Sequence, residues 1–153
     1  MSQNADADLL TALESEYMGE AVFRTLYYTS LRADRRDKAR ALWRLETQTK
    51  ERLIVYCKAN GYTLPSGLGW SIKGVILGTV LLLLPWQAFI RATLRETDKF
   101  IEVFRRLESR ADEQGRPLFS HVVAHELAIQ RFAQLEKDGA DDSIAPVTAL
   151  LRA

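Results

Sequence analysis

The chain has 153 residues, a length that fits one domain and suffices for a substantial apolar core. Its 21 basic and 20 acidic residues give a formal charge of +1, which argues against nucleic acid as the main partner, because nucleic-acid-binding faces carry a basic excess. Cys57 is the only cysteine, which excludes an internal disulfide framework and a cysteine-rich metal site. We expect a buried or half-buried free thiol in a reducing compartment.

The first ten residues, MSQNADADLL, are polar and acidic and lack the basic and apolar regions of a secretory signal. The sequence therefore predicts a cytoplasmic protein or one that is associated with the cytoplasmic face of a membrane.

Four long segments repeat apolar residues at the period of an α-helix, and no segment alternates at period two. The pattern predicts an all-α fold with helices over about 6–31, 34–59, 86–111 and 118–137, followed by a short helix over about 146–151. Helices of this length, about 30 Å or more, are typical of a helical bundle. We expect one domain over residues 1–153.

An apolar segment of seventeen uncharged residues separates Lys73 from Arg91. It is short for a membrane-spanning helix, which needs about 20 apolar residues, and Pro85 interrupts its far end. We favour a buried core helix within an insertion at about 67–84. The alternative is a hairpin at 74–90 that lies on a membrane or covers a dimer interface. We expect a homodimer, because the apolar segment exceeds what four helices need to bury. Gly74 and Gly78, one turn apart, predict close packing against another helix.

Ionisable residues interrupt the apolar stripes of the four long helices. Because an unpaired buried charge costs several kcal/mol, each of them needs a proton, a partner or a metal ion. Their positions near mid-helix predict a metal site in the bundle core. The proposed ligands are Glu20, Glu46, Glu96 and His125.

Each of these residues also has an ordinary interpretation. Glu20 precedes Arg24 by four residues and Glu46 precedes Lys50 by four, the spacing of exposed helical ion pairs. His125 also fits a hydrogen-bonded core histidine. We expect Glu16 and Glu126 to face solvent.

Several short motifs occur in the order found in one known family. They are Gly19-Glu20 followed by Tyr27, Glu46 followed by Leu53 and Pro65, the apolar segment from Gly67 to Leu84, Thr93-x-x-Glu96, His125, and Ala145-Pro146. Over about residues 10–151 the chain resembles the ferritin-like superfamily and, within it, the demethoxyubiquinone hydroxylase branch. The resemblance implies a ferritin-like antiparallel four-helix bundle with an extra apolar helical segment between its second and third long helices.

That branch holds two irons with four carboxylates and two histidines, and two of those positions differ in this chain. Thr49 stands where helix two of the family has histidine, and Val122 stands where helix four has glutamate. Valine cannot coordinate a metal ion, and threonine is a poor substitute for imidazole. The resemblance therefore implies a degenerate dinuclear site.

Three hypotheses for the function follow. The first is a non-catalytic binding or structural module without metal, for a lipid-like or quinone-like molecule or a partner helix. The second is an oxygen-dependent hydroxylase or oxidase with iron or manganese, related to the hydroxylases of ubiquinone biosynthesis, with Tyr27 near the metal. The third is a membrane-associated helical protein without ferritin ancestry.

Overall fold

The computed structural model describes the backbone of residues 3–153 and the side chains of residues 7–153. Six α-helices and no strand form this part of the chain, which confirms the all-α prediction. The helices are α1 (Gln3–Thr29), α2 (Ala33–Ala59), α3 (Gly67–Leu82), α4 (Trp86–Arg110), α5 (Arg116–Lys137) and α6 (Ala145–Arg152). Each begins and ends within three residues of its predicted limits, because the apolar periodicity and the loop residues mark these ends clearly.

The four long helices surround a core that contains two apolar clusters. α1 packs against α2 and α4, and α5 packs against the same two helices. The first apolar cluster includes Phe23, Leu42, Phe89 and Phe132. The second apolar cluster includes Leu13, Leu53, Phe104 and Phe119. Because α1 and α5 pass from the second cluster to the first, while α2 and α4 pass from the first to the second, the two pairs of helices run in opposite directions.

Between the two apolar clusters lies a layer of buried polar side chains, which we call the polar layer. Its members are Glu16 of α1, Glu46 and Thr49 of α2, Thr97 of α4, and His125 and Glu126 of α5. Along each of the four helices these residues fall between the residues of the two clusters. The packing of the fold therefore brings polar groups from four helices to one level of the core.

The structure places α3 outside the core, so the prediction of a buried core helix is wrong. Within this helix only Gly74 and Gly78 are buried, against α1. The expectation of close packing is confirmed, since a Cβ at Gly74 would collide with the carbonyl oxygen of Met18. An apolar helix that packs mainly on one neighbour can bury only one face. No helix in the described part of the chain is both long and apolar enough to cross a membrane.

Cys57 is buried in the second apolar cluster as a free thiol, as predicted. Burial raises the pKa of this thiol. A buried thiol with a raised pKa is a poor nucleophile, so Cys57 acts as an apolar packing residue.

Candidate functional site

The centre of the polar layer holds three glutamates and one histidine, which we call the carboxylate cluster: Glu16, Glu46, His125 and Glu126. These residues are between 0% and 6% exposed. One ligand atom from each of Glu16, His125 and Glu126 lies within 4.8 Å of the other two. The Nε2 atom of His125 is 3.7 Å from Oε1 of Glu46 and 3.8 Å from Oε2 of Glu16. Two atoms that share one metal ion at about 2.1 Å each lie roughly 3–4 Å apart, so the spacing suits a shared ion.

Two atoms of the cluster have unused hydrogen-bonding capacity. Among the described groups, neither His125 Nε2 nor Glu16 Oε2 has a hydrogen-bond partner, although both atoms are buried. The other ring nitrogen of His125, Nδ1, is 2.8 Å from the hydroxyl of Thr49. This contact fixes the ring and holds Nε2 towards the carboxyl groups. A hydrogen bond to the other ring nitrogen orients metal-binding histidines in the same way.

The electrostatics of the cluster disfavour three ionised carboxylates. Burial raises the pKa of Glu16, and the neighbouring carboxyls of Glu46 and Glu126 raise it further. Burial and Glu46 also raise the pKa of Glu126 to about 8, against the lowering effect of His125. Burial alone would lower the pKa of His125, but the carboxylates of Glu46 and Glu126 outweigh it and the pKa is raised. The cluster therefore needs protons or a cation.

Of the four ligands predicted from the sequence, the structure brings together Glu46 and His125. Glu20 instead accepts hydrogen bonds from Thr47, at 2.7 Å, and from Lys50, so both of its oxygens have donors. Glu96 is exposed and forms an ion pair with Lys99 at 2.8 Å. The buried polar residue of α4 in the polar layer is Thr97, one position further along the helix.

The sequence prediction that Glu16 and Glu126 face solvent is wrong. Glu16 is 1% exposed and Glu126 is 6% exposed. The signal was present in the spacing, since Glu16 follows Leu9 by seven residues and Leu13 by three, which places it on their stripe. Likewise, Glu126 follows Val123 by three residues. The stripes predicted for α1 and α5 were displaced by about one residue, and a buried carboxylate gives no apolar signal of its own.

Gly19 makes room for the carboxylate of Glu46. A Cβ at Gly19 would lie 2.5 Å from Glu46 Oε2, a distance that real Cβ atoms do not show. A glycine on α1 is therefore needed for Glu46 of α2 to reach its position.

A cavity of about 330 Å³ lies beside the cluster. Its walls are mostly apolar and come from α1, α2, α3, α4 and α5, and they include Phe23, Leu77, Phe89 and Phe100. The carboxylates of Glu46 and Glu126 form part of the same wall. The exposed Glu96 stands at its edge. A molecule in this cavity would thus have a mostly apolar environment beside the residues Glu46 and Glu126.

Comparisons of the chain with protein-family models, with curated proteins and with solved structures found no match. The chemical interpretation therefore rests on the donors themselves. Carboxylate oxygens with one imidazole nitrogen suit iron or manganese better than soft metal ions.

Proposed function

We propose that this chain is a ferritin-like protein that binds one divalent metal ion at the carboxylate cluster and an apolar molecule in the adjacent cavity. The observation that carries the proposal is the pair of buried, unpartnered atoms His125 Nε2 and Glu16 Oε2 within the described core. Buried polar atoms nearly always have a partner, and exceptions need an explanation. A bound cation would provide a partner for both atoms and would offset the repulsion among three carboxylates.

The directions of the long helices support the ferritin-like assignment. The first and fourth long helices, α1 and α5, run against the second and third, α2 and α4. Connecting two parallel helices of a bundle requires a long crossover, as in ferritin-like folds. Here α3 and its flanking loops form that crossover, between Asn60 and Pro85.

The donor set supports one metal ion instead of two. Val122 is fully buried in the second apolar cluster and offers no ligand. Thr49 uses its hydroxyl for contacts with His121 and His125. With Glu96 exposed, the remaining ligands are Glu16, Glu46, Glu126 and His125. When bound, iron or manganese would supply Lewis-acid or redox chemistry at this position, and the apolar cavity would keep water away from it.

Metal content per chain tests the proposal. The protein is expressed with iron and manganese supplements, purified without chelator and measured by plasma mass spectrometry. We expect about one ion per chain in the wild type and the loss of most of this metal in Glu16→Gln. Glu20→Gln is the matched control, because Glu20 lies one turn further along α1 and pairs with Lys50 outside the cluster. Metal-free wild type, or equal metal in Glu16→Gln, would overturn the proposal.

For the cavity, we propose a lipid-like or quinone-like ligand, because the walls are apolar and the polar groups are confined to one side. A short-chain quinone measured by isothermal titration calorimetry should bind the wild type and lose affinity at least tenfold in Ala92→Phe, which fills the cavity. Gln87→Phe adds the same ring at an exposed position of α4 and should bind normally. Equal binding by both variants would exclude the cavity as the binding site.

The contact of the cavity with Glu46 and Glu126 also favours a second candidate function, an oxygen-dependent hydroxylase or oxidase that acts on the bound apolar molecule. In that case the metal-loaded protein should consume oxygen only when the reduced quinone and a reductant are present. Ala92→Phe should abolish this consumption, whereas Gln87→Phe should not. If the metal-loaded protein binds the quinone without consuming oxygen, the hydroxylase or oxidase function is excluded and the function as a binding module is supported.

We propose an anionic lipid surface as the partner of the outer face of α3. Large apolar side chains of this helix, from Leu68 to Val80, are between 40% and 69% exposed. The one charged residue of α3 is Lys73, so the charge that this helix itself carries beside its apolar face is positive. Vesicles with phosphatidylglycerol should co-sediment the wild type and release Lys73→Glu. A salt-independent dimer without vesicle binding would instead indicate that two copies cover α3.

A further inference from the structure

The cavity beside the carboxylate cluster has a wall whose polar groups are all of one kind. Among the described residues that form this wall, none is basic and none has a side-chain N–H group. The polar side chains of the wall carry oxygen atoms, and they belong to Ser15, Glu46, Thr93, Glu96, Thr97 and Glu126. What a ligand can bond to in this cavity therefore depends on whether these oxygens donate or accept.

The hydroxyl groups of the wall already donate their protons to the backbone of their own helices. Ser15 donates to the carbonyl oxygen of Ala12 at 2.7 Å, and Thr93 donates to that of Phe89 at 3.1 Å. Thr97 donates to the carbonyl oxygen of Thr93, also at 3.1 Å. Because a hydroxyl has one proton, each of these groups can only accept a hydrogen bond from a ligand.

The described backbone beside the cavity supplies no donor either. All residues of the wall lie inside the helices α1 to α5, and Phe89 is the one nearest to the start of its helix. The N–H group of Phe89 donates to the carbonyl oxygen of Pro85 at 3.2 Å. Further along an α-helix, each N–H group bonds to the carbonyl oxygen four residues earlier.

The glutamates add acceptors and negative charge. Carboxylates that bind a metal ion are ionised, so Glu46 and Glu126 accept hydrogen bonds when the cluster holds the divalent ion proposed above. The cluster has three carboxylates, which exceed the charge of one divalent ion. Glu96 adds a carboxylate at the edge of the cavity, where Lys99 pairs with it from outside the wall. The described wall is therefore a surface of acceptors with an excess of negative charge.

We propose that the apolar molecule bound in this cavity carries a protonated amine as its head group. This inference rests on the cavity function proposed above and narrows the lipid-like ligand to one chemical class. An ammonium group has three donors and no acceptor, so a wall of acceptors can pair it completely. A hydroxyl head would leave its own lone pairs without donors, and a quinone or carboxylate head would form no hydrogen bond with the wall.

Isothermal titration calorimetry with octylamine, octanol and octanoate tests the head group, because these three probes share one tail. The protein is titrated in the presence of saturating Mn²⁺, and its manganese content is measured on the same sample. We expect octylamine to bind about tenfold more tightly than octanol, because charge-assisted hydrogen bonds are stronger than neutral ones. Octanoate should bind more weakly than octanol. Octylamine should lose its affinity in Ala92→Phe and keep it in Gln87→Phe.

Glu96→Lys tests the same inference by giving the cavity edge a donor and a positive charge. Glu96 is exposed, so the substitution does not disturb the core. We expect octylamine to bind about tenfold more weakly than to the wild type, and octanoate to bind more tightly than octanol. Glu102→Lys makes the same change of charge at an exposed position of α4 outside the wall and should keep the preference of the wild type.

The outcomes separate the head group from the cavity and from the metal ion. If octanol or octanoate binds the wild type as tightly as octylamine, the head-group inference is overturned and the cavity remains a site for apolar molecules. If no probe binds, the cavity function fails, and the inference with it. Octylamine binding that persists in Ala92→Phe also overturns the inference, because the amine then lies elsewhere. A preference for octylamine in a sample without manganese supports the inference and counts against the metal site alone.

Discussion

Two buried glutamate sites in this molecule have similar burial and opposite electrostatics. Glu136, near the end of α5, is 8% exposed and accepts hydrogen bonds from Lys38, from Ser143 and from Trp86 Nε1 at 2.6 Å. Although burial alone would raise the pKa of Glu136, these donors lower it. In the carboxylate cluster, burial and neighbouring carboxyls raise the pKa of Glu16 and Glu126, and no lysine or arginine pairs with Glu16 or Glu126 among the described residues.

The carboxylate of Glu136 stabilises the fold, whereas the carboxylates of the cluster reduce its stability. Glu136 joins α2, α4 and the turn after α5 through its donors, so its charge is offset locally. The cluster gathers like charges in the core without such donors, which disfavours the folded state until protons or a cation enter. Buried groups that reduce stability are typical of functional sites.

The largest effect that we expect comes from Glu136→Gln. Removing this charge leaves Lys38, whose side chain is only 19% exposed, without its partner. We expect the free energy of unfolding to fall by about 3 kcal/mol, measured by urea denaturation at pH 7. A decrease below about 0.5 kcal/mol, the value for an exposed pair, would contradict the assigned role.

The pH dependence of stability should also distinguish the two sites. The pKa of Glu126 is about 8 in the folded protein, above its ordinary value of 4.5, so between these values the unfolded chain releases a proton that the folded chain retains. The free energy of unfolding of the metal-free protein should therefore decrease as pH rises from about 4.5 to 8. Glu126→Gln should remove the part of this decrease that Glu126 causes, and the raised pKa of Glu16 should leave a smaller decrease in the variant.

At Glu136 the sign is reversed. Its pKa is lowered, so its contribution is present above the ordinary value of 4.5 and is lost as the pH falls through the folded pKa. In Glu136→Gln, the free energy of unfolding should fall less than in the wild type as the pH drops below 4.5. The decrease between pH 4.5 and 8 should be unchanged. If Glu136→Gln reduces the change in the free energy of unfolding both below pH 4.5 and between pH 4.5 and 8, the two sites are not independent.

A smaller effect is expected from Gly19→Ala, which adds a methyl group where the carboxylate of Glu46 now lies. Displacing one ligand should weaken manganese binding about tenfold, measured by competition with a chelating dye.

Glu96→Gln should have the smallest effect, with unchanged manganese affinity, because Glu96 is exposed and paired with Lys99. A large loss of manganese affinity in Glu96→Gln would indicate that Glu96 is a metal ligand, as predicted from the sequence.

The helices were predictable from the sequence because apolar periodicity, Asn60-Gly61 and the turn before Pro117 mark their ends. The exposure of α3 was not, because an apolar helix gives the same pattern whether it is buried in a core or lies on one neighbour. In the site, two of the predicted ligands, Glu46 and His125, lie close together across two helices. On α1, Glu20 was predicted as the ligand instead of Glu16, because these two residues lie about one turn apart on the same side of the helix and the apolar periodicity does not distinguish them.

The most direct test of the central claim compares the free energy of unfolding of wild type and Glu16→Gln, each with and without saturating Mn²⁺. We predict a change of sign: without metal, Glu16→Gln is more stable than the wild type by about 1 kcal/mol, because a buried ionisable carboxyl has been replaced by a neutral amide. With Mn²⁺, the wild type becomes the more stable protein, because it binds the ion and the variant does not. If Glu16→Gln is less stable by the same amount in both conditions, Glu16 is a structural carboxylate like Glu136, and the carboxylate cluster is not a metal site.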